Sequence, residues 1–228
     1  MTIVSIHQPV YLPWLGFFKK IMESDIFVFL DDVQFVRGGF NRNIIRVKEG
    51  TLNLTVPIQG SSHLPLNKTQ INNQLQWNVK HLKSIDHAYN KCEYYSNNLK
   101  FFQRLYEKNF DFLLDLNMEI INYLLKKFTI TTETIRASEL NITSTGSDRI
   151  LDICKKLKAT SYLSGIHGKN YLKLEDFKKN NIKIDFQNFQ HPIYKQRYEP
   201  FIPNMASIDL LFNEGNHSKE ILKKASNF

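Results

Sequence analysis

Ile3-Val4-Ser5-Ile6-His7-Gln8-Pro9-Val10-Tyr11-Leu12-Pro13-Trp14-Leu15-Gly16 is followed one short helix later by Ile26-Phe27-Val28-Phe29-Leu30-Asp31-Asp32-Val33-Gln34. The apolar run Ile3–Ile6 reads as a buried strand that stops at an imidazole and an amide. Pro9 and Pro13 fix φ and withdraw backbone donors, so a rigid turn follows. From Trp14 to Glu23 the apolar spacing becomes helical, and Ile26–Leu30 is a second strand ending in two carboxylates. A strand, a short crossover and a strand predict parallel neighbours. In an open α/β sheet ligands bind beyond the carboxyl ends of the strands. His7 with Gln8 in a turn, or Asp31 with Asp32 capping a loop, has an ordinary backbone-satisfying explanation taken alone. Polar pairs at two successive strand ends favour a site.

Working outward, Ile44–Val47 and Leu52–Ile58, with Lys48-Glu49-Gly50 between them, predict a hairpin. Residues 59–73 are polar with Gly60 and Pro65, the best candidate for a mobile loop. From Trp77 to Phe128 three apolar stripes at helical spacing predict three helices, the last with Asp111 as N-cap. They interrupt the alternation and form a helical insertion near residues 74–128 in what reads as a single domain over residues 1–228. Alternation resumes with strand Thr131–Ile135, a helix over Asp148–Leu157 capped by Ser147, strand Thr160–Leu163, helix Tyr171–Asn180 and strand Ile182–Phe186. Helices Ser207–Phe212 and His217–Ala225 close the chain. The expected fold is α/β, a Rossmann-like mainly parallel sheet with a helical insertion.

The 228 residues carry 42% hydrophobic and 13% aromatic side chains, ample for a core. Two cysteines, Cys92 and Cys154, give no disulfide framework and point to a reducing, cytoplasmic setting. No signal-peptide pattern and no apolar run near the ~18–20 residues of a membrane span occur. A formal charge of +8 invites an anionic partner. The lysines are scattered in pairs, however, beginning with Lys19-Lys20, and each pair is expected on a solvated helix face or near a helix C-terminus.

A second candidate site is the loop Ser164-Gly165-Ile166-His167-Gly168, again between a strand and a helix. Gly165 and Gly168 allow backbone amides close to a ligand, and a helix start favours anions. Such loops are often only tight turns. Here Tyr162, Ser164, His167 and Tyr171 are expected at the same sheet edge as His7. Tyr11 and Trp14 offer flat faces for a base or sugar, and His81 lies one turn after Trp77 on a helix. No zinc spacing and no nucleophile elbow is present. The only cofactor suggested is Mg²⁺, with Asp31, Asp32 and Asp209 as candidate ligands beside a phosphate.

These residues also carry a resemblance. His7-Gln8-Pro9-x-Tyr11-Leu12-Pro13-Trp14-x-Gly16, Asp31-Asp32-Val33-Gln34-Phe35 and Asn41-Arg42-Asn43 are similar to motifs of the WbqC-like family. So are Trp77 with His81, Tyr162-Leu163-Ser164-Gly165, Tyr171-Leu172 and the stretch Ser207–Gly215. The resemblance spans nearly the whole chain and implies bacterial O-antigen or surface-polysaccharide biosynthesis. It adds Gln34, Asn41, Arg42 and Ser207 to the substrate-binding candidates. A fainter similarity is to HIGH-motif nucleotidyltransferases, but Trp14-Leu15-Gly16-Phe17 stands where those enzymes have His-x-Gly-His. The expectation is a transferase that moves an acyl or aminoacyl group, from a carrier or tRNA, to a nucleotide-linked amino sugar. In it His7, Asp31, Asp32 and His167 are the catalytic candidates. The alternatives are a nucleotidyltransferase and a non-catalytic sugar-nucleotide or tRNA-binding protein.

Overall fold

The two apolar runs at the start lie side by side as parallel strands in a computed structural model, which describes residues 1–60 and 63–225. β1 (Ile3–His7), α1 (Leu15–Met22) and β2 (Ile26–Phe29) form the first unit, with Val4 opposite Ile26 and His7 opposite Phe29. Between β2 and β5 (Glu133–Arg136) come the antiparallel hairpin β3 (Arg42–Val47) and β4 (Gly50–Thr55) and three helices, α2 (Trp77–Tyr89), α3 (Ser96–Glu107) and α4 (Leu113–Lys127). The alternation then runs through α5 (Gly146–Lys156), β6 (Ser161–Gly165), α6 (Leu174–Lys179) and β7 (Lys183–Gln187) to α7 (Ile208–Glu214) and α8 (Ser218–Lys224).

Five parallel strands form one sheet in the order β5-β2-β1-β6-β7. The chain winds outward from β1 to one edge, then returns and winds to the other. The reversal falls between β1 and β6, where doubly wound sheets bind ligands.

Strand periodicity sorts the core into two layers. Phe27 and Phe29 face the layer built with α1 and the inserted helices, while Val4, Ile6, Val28 and Leu30 face the layer built with α5 and α6. Phe18 of α1 meets Phe128, just beyond α4, at 5.2 Å between ring centres, which ties the insertion to the sheet.

Several local expectations are corrected. Asp111 does not cap α4: Phe112 holds that position, and Asp111 offers its carbonyl to the Ile71 amide. Ser147 lies inside α5 and accepts from the Lys173 amide instead of capping its own helix. The helix expected from Tyr171 starts later, because a 3₁₀ turn over Ile166–Asn170 comes first. In the expected mobile segment, Ser61 and Ser62 lie outside the described residues. The rest is tied down: Leu66 and Thr69 are buried, and Ile58 bridges Ile71. Lys19 and Lys20, expected in solvent, are 6% and 3% exposed.

Candidate functional site

The turn after β1 reverses the chain sharply, and a set of distant amides holds it. Leu12 is buried with φ at 45°, a left-handed conformation a branched residue adopts only under constraint. Asn43 Nδ2 donates to the Leu12 carbonyl, and Asn117 Nδ2 donates to the carbonyls of Pro9 and Phe40. The Tyr11 amide donates to Phe40, and the Ser207 amide donates to Pro13. Trp14 bridges Ala206 in antiparallel fashion. The turn is therefore preorganised by three remote parts of the chain.

This turn and the β6 loop open on one cavity of about 470 Å³ at the sheet's reversal point. His7, Gln8, Trp14 and Lys20 line it from the β1–α1 side, and Tyr162, Gly165, His167, Gly168 and Tyr171 from the β6 side. Asn188, Phe189 and Asn204 complete the wall. Gly16 sits beneath Trp14: a Cβ there would lie 2.6 Å from the indole Nε1 and 3.0 Å from the Phe189 ring. Gly168 packs on Ser164, whose Oγ would be 2.0 Å from a Cβ. Glycine at these two positions is needed for close packing around the cavity.

His7 Nδ1 lies 2.9 Å from the Gln8 carbonyl. A carbonyl only accepts, so Nδ1 carries the hydrogen. Burial, reinforced by the charge of Lys20, pushes the imidazole down to about 4. At neutral pH His7 is thus a neutral ring whose Nε2 carries a free lone pair. The Trp14 and Phe17 rings stand edge-on to it, each 5.4 Å from its centre.

Lys20 is the residue the sequence reading missed. Its Nζ donates to the Ile6 carbonyl at 2.9 Å, and burial lowers it to about 7. Its neighbour Lys19 is paired with Glu23 and donates to the Lys223 carbonyl. Among the described residues Lys20 has no carboxylate partner. A signal existed: Lys20 falls three residues after Phe17 on the apolar face of α1.

Other expected site residues are placed elsewhere. Asp31 is buried with both carboxylate oxygens on Ser138, one bonded to the amide and one to the hydroxyl. Asp32 takes both oxygens to Arg149 at 2.7–2.8 Å. Neither orients His7, whose Nδ1 is satisfied by its own turn. Tyr11 and His81 meet in the core, where the Tyr11 hydroxyl contacts His81 Nδ1 and the Tyr106 hydroxyl. Asn41 accepts from the Gly38 amide and donates to Val56, and Arg42 Nε donates to Thr55 Oγ1. Gln34 is exposed and bridges Pro65. Ser207 and Asp209 are buried, with Asp209 accepting from Tyr194 and Gln196. Ser164 is buried with its hydroxyl on the Gly165 carbonyl.

Asp31, Asp32 and Asp209 are thus engaged in three separate places and do not form a Mg²⁺ ligand set. Among the described residues no group of three His, Cys, Asp or Glu side chains is gathered for a metal. Asp32→Asn is expected to cost about 1 kcal/mol of stability through the weakened Arg149 bond. It should leave ligand affinity within about twofold; urea denaturation and a binding titration check both.

A family model described as "WbqC-like protein family" matches residues 8–221. The chain is 27% identical over 228 residues to the uncharacterized protein Rv1507c of Mycobacterium tuberculosis, covering 98% of each chain. No solved structure matches. Among the described residues no helix is long and apolar enough to cross a membrane.

Proposed function

We propose, from the premise that this chain belongs to the WbqC-like protein family, that it is a transferase of bacterial surface-glycan biosynthesis. Its acceptor is a nucleotide-linked amino sugar, bound in the cavity between the β1 turn and the β6 loop. The observation that carries this reading is one cavity at the sheet's reversal point lined by a neutral imidazole and by a buried lysine that has no carboxylate partner among the described residues. The lysine suits an anionic substrate. The imidazole suits a reaction that moves a proton from a neutral nucleophile.

In the proposed step the sugar amine attacks the acyl carbonyl of the donor. A C–N bond forms, the bond from the carbonyl carbon to the donor's leaving group breaks, and the amine proton passes to His7 Nε2. The leaving group departs with a proton from His7 or solvent. Gln8 and the Gly165–Gly168 backbone supply hydrogen-bond donors beside the reacting centre. Trp14 and Phe189 supply the flat surfaces a base or pyranose stacks on.

The test is mass spectrometry of UDP-linked amino sugars incubated with the protein and thioester or aminoacyl-tRNA donors. The expected result is a product heavier by the acyl group. Release of pyrophosphate from a nucleoside triphosphate without acyl transfer would replace this reading with nucleotidyl transfer.

A location control is available. Gly165 has φ near −68°, open to any residue, and nothing lies within 4 Å of a Cβ there. Gly165→Leu should therefore fold with stability within about 1 kcal/mol of the parent. It should lower product formation at least tenfold by filling the cavity, as the same assay would read out.

A further inference from the structure

We propose that Lys20 makes the cavity a reader of phosphoanhydrides, and that such a ligand enters together with a proton. The inference rests on the reading of this cavity as the substrate site and names the group by which the substrate is held.

Lys20 is 3% exposed and lines the cavity. One carbonyl, that of Ile6, occupies its Nζ, so the ammonium has donors to spare. Among the described residues no Asp or Glu lines the cavity. A cation taken out of water without a counter-ion is costly, and proteins pair such charges or keep them for a ligand. Lys19 shows the paired arrangement one residue away, with Glu23 at 3.2 Å. The open face of Gly165 and the side of Gln8 stand on the same cavity.

The proton follows from the charge. Burial holds Lys20 near 7 in the free protein. A bound phosphoanhydride favours the ammonium and raises it. Between those two values binding takes up a proton, so affinity falls as pH rises above about 7 and is flat below it.

The other titratable groups facing the cavity are His7 from β1, Tyr162 from β6, and His167 and Tyr171 from the loop beyond. His7 is neutral throughout this range, and burial pushes both tyrosines upward. Just past the end of α1, Glu23 is committed to Lys19. Gln187, Asn188 and Phe189 on the β7 side carry no charge, and α5 contributes Ile150. His167, exposed at the rim, is the remaining group to control for.

The experiment is calorimetric titration with UDP-glucose, whose diphosphate diester keeps a fixed charge, from pH 6 to pH 9 in buffers of different ionisation heat. Wild type is expected to bind within about twofold at pH 6 and 7 and to lose up to about tenfold per pH unit above that, with buffer-dependent proton uptake near pH 8. Lys20→Arg, charged at every pH tested, should bind without the slope. Lys20→Met should bind roughly 10–100-fold more weakly at pH 6. His167→Gln should keep the slope.

A wild-type affinity independent of pH, or Lys20→Met binding at full strength, overturns the proposal. If Lys20→Arg fails to fold, the wild-type slope and buffer dependence still decide. Coenzyme A supplies the second arm. The same slope for coenzyme A with no UDP-glucose binding would uphold phosphate reading by Lys20 while moving the phosphate from acceptor to donor, against the proposed acceptor.

Discussion

His7→Asn should fold with its thermal transition nearly unchanged, bind the acceptor within a few fold, and lose about 10²–10⁴ in turnover, the range for a proton-transfer group. Asparagine offers the Gln8 carbonyl an amide donor in place of Nδ1–H, so the turn retains a partner. What it lacks is a basic lone pair at the position of Nε2. In the free protein the imidazole is a weak base, because burial and then the Lys20 charge hold it near 4. An anion beside Lys20 offsets the second of these causes, so the base strengthens when substrate is present. Turnover by mass spectrometry and binding by calorimetry separate the outcomes. Full turnover in His7→Asn would remove His7 from the chemistry and leave His167, the other cavity imidazole, to be tested.

Lys20→Met should make the ligand-free protein more stable at pH 7 while weakening its ligand binding. In the folded state Lys20 lies near 7, against 10.5 for an unburied lysine. The unfolded chain therefore binds more protons between those values, and the group's contribution to stability rises with pH across that window. Below about 7 both states are protonated and the penalty is complete, of order 5 kcal/mol. Methionine removes that penalty and loses the bond to the Ile6 carbonyl, worth about 1 kcal/mol or somewhat more for a charged donor. A net gain of roughly 2–4 kcal/mol at pH 7 is expected, shrinking toward pH 10 as wild type catches up. Urea denaturation of both proteins at the two pH values measures it. A variant less stable than wild type at pH 7 would mean that the ammonium is held by interactions that satisfy it.

The frame was legible because its signals are local. Ile3–Ile6 and Ile26–Leu30 are short apolar runs around a helix-period segment, and the short crossover between them places them as parallel neighbours. The inserted helices declared themselves by their stripes. The cavity was half legible: His7, Gln8, Trp14 and the Gly165–Gly168 loop sit at strand ends, where topology brings them together whatever the side-chain details. Asp31 and Asp32 sit at a strand end too, but their partners, Ser138 and Arg149, lie over a hundred residues away in the chain, and no local pattern reveals such a bond. Tyr11 was misplaced because the left-handed Leu12 beside it belongs to a reversal that sends its ring into the core, whereas Trp14 lines the cavity. Lys20 was read as solvated because lysine usually is, although its helical phase put it with Phe17. Phe189 and Asn204 come from an irregular stretch with no period to read.

The clamp on the β1 turn has a consequence for how the protein is made. Asn43 and Asn117 can reach Leu12 and Pro9 once residues up to 117 have emerged from the ribosome, but Ala206 and Ser207 are synthesised only after every strand of the sheet. All five sheet strands end by Gln187. A nascent or prematurely released chain can thus carry the complete sheet and still lack the segment that fastens Pro13 and Trp14. The turn between His7 and Lys20 is therefore fastened after the sheet strands are made, so competence needs the segment beyond β7 and not the sheet alone.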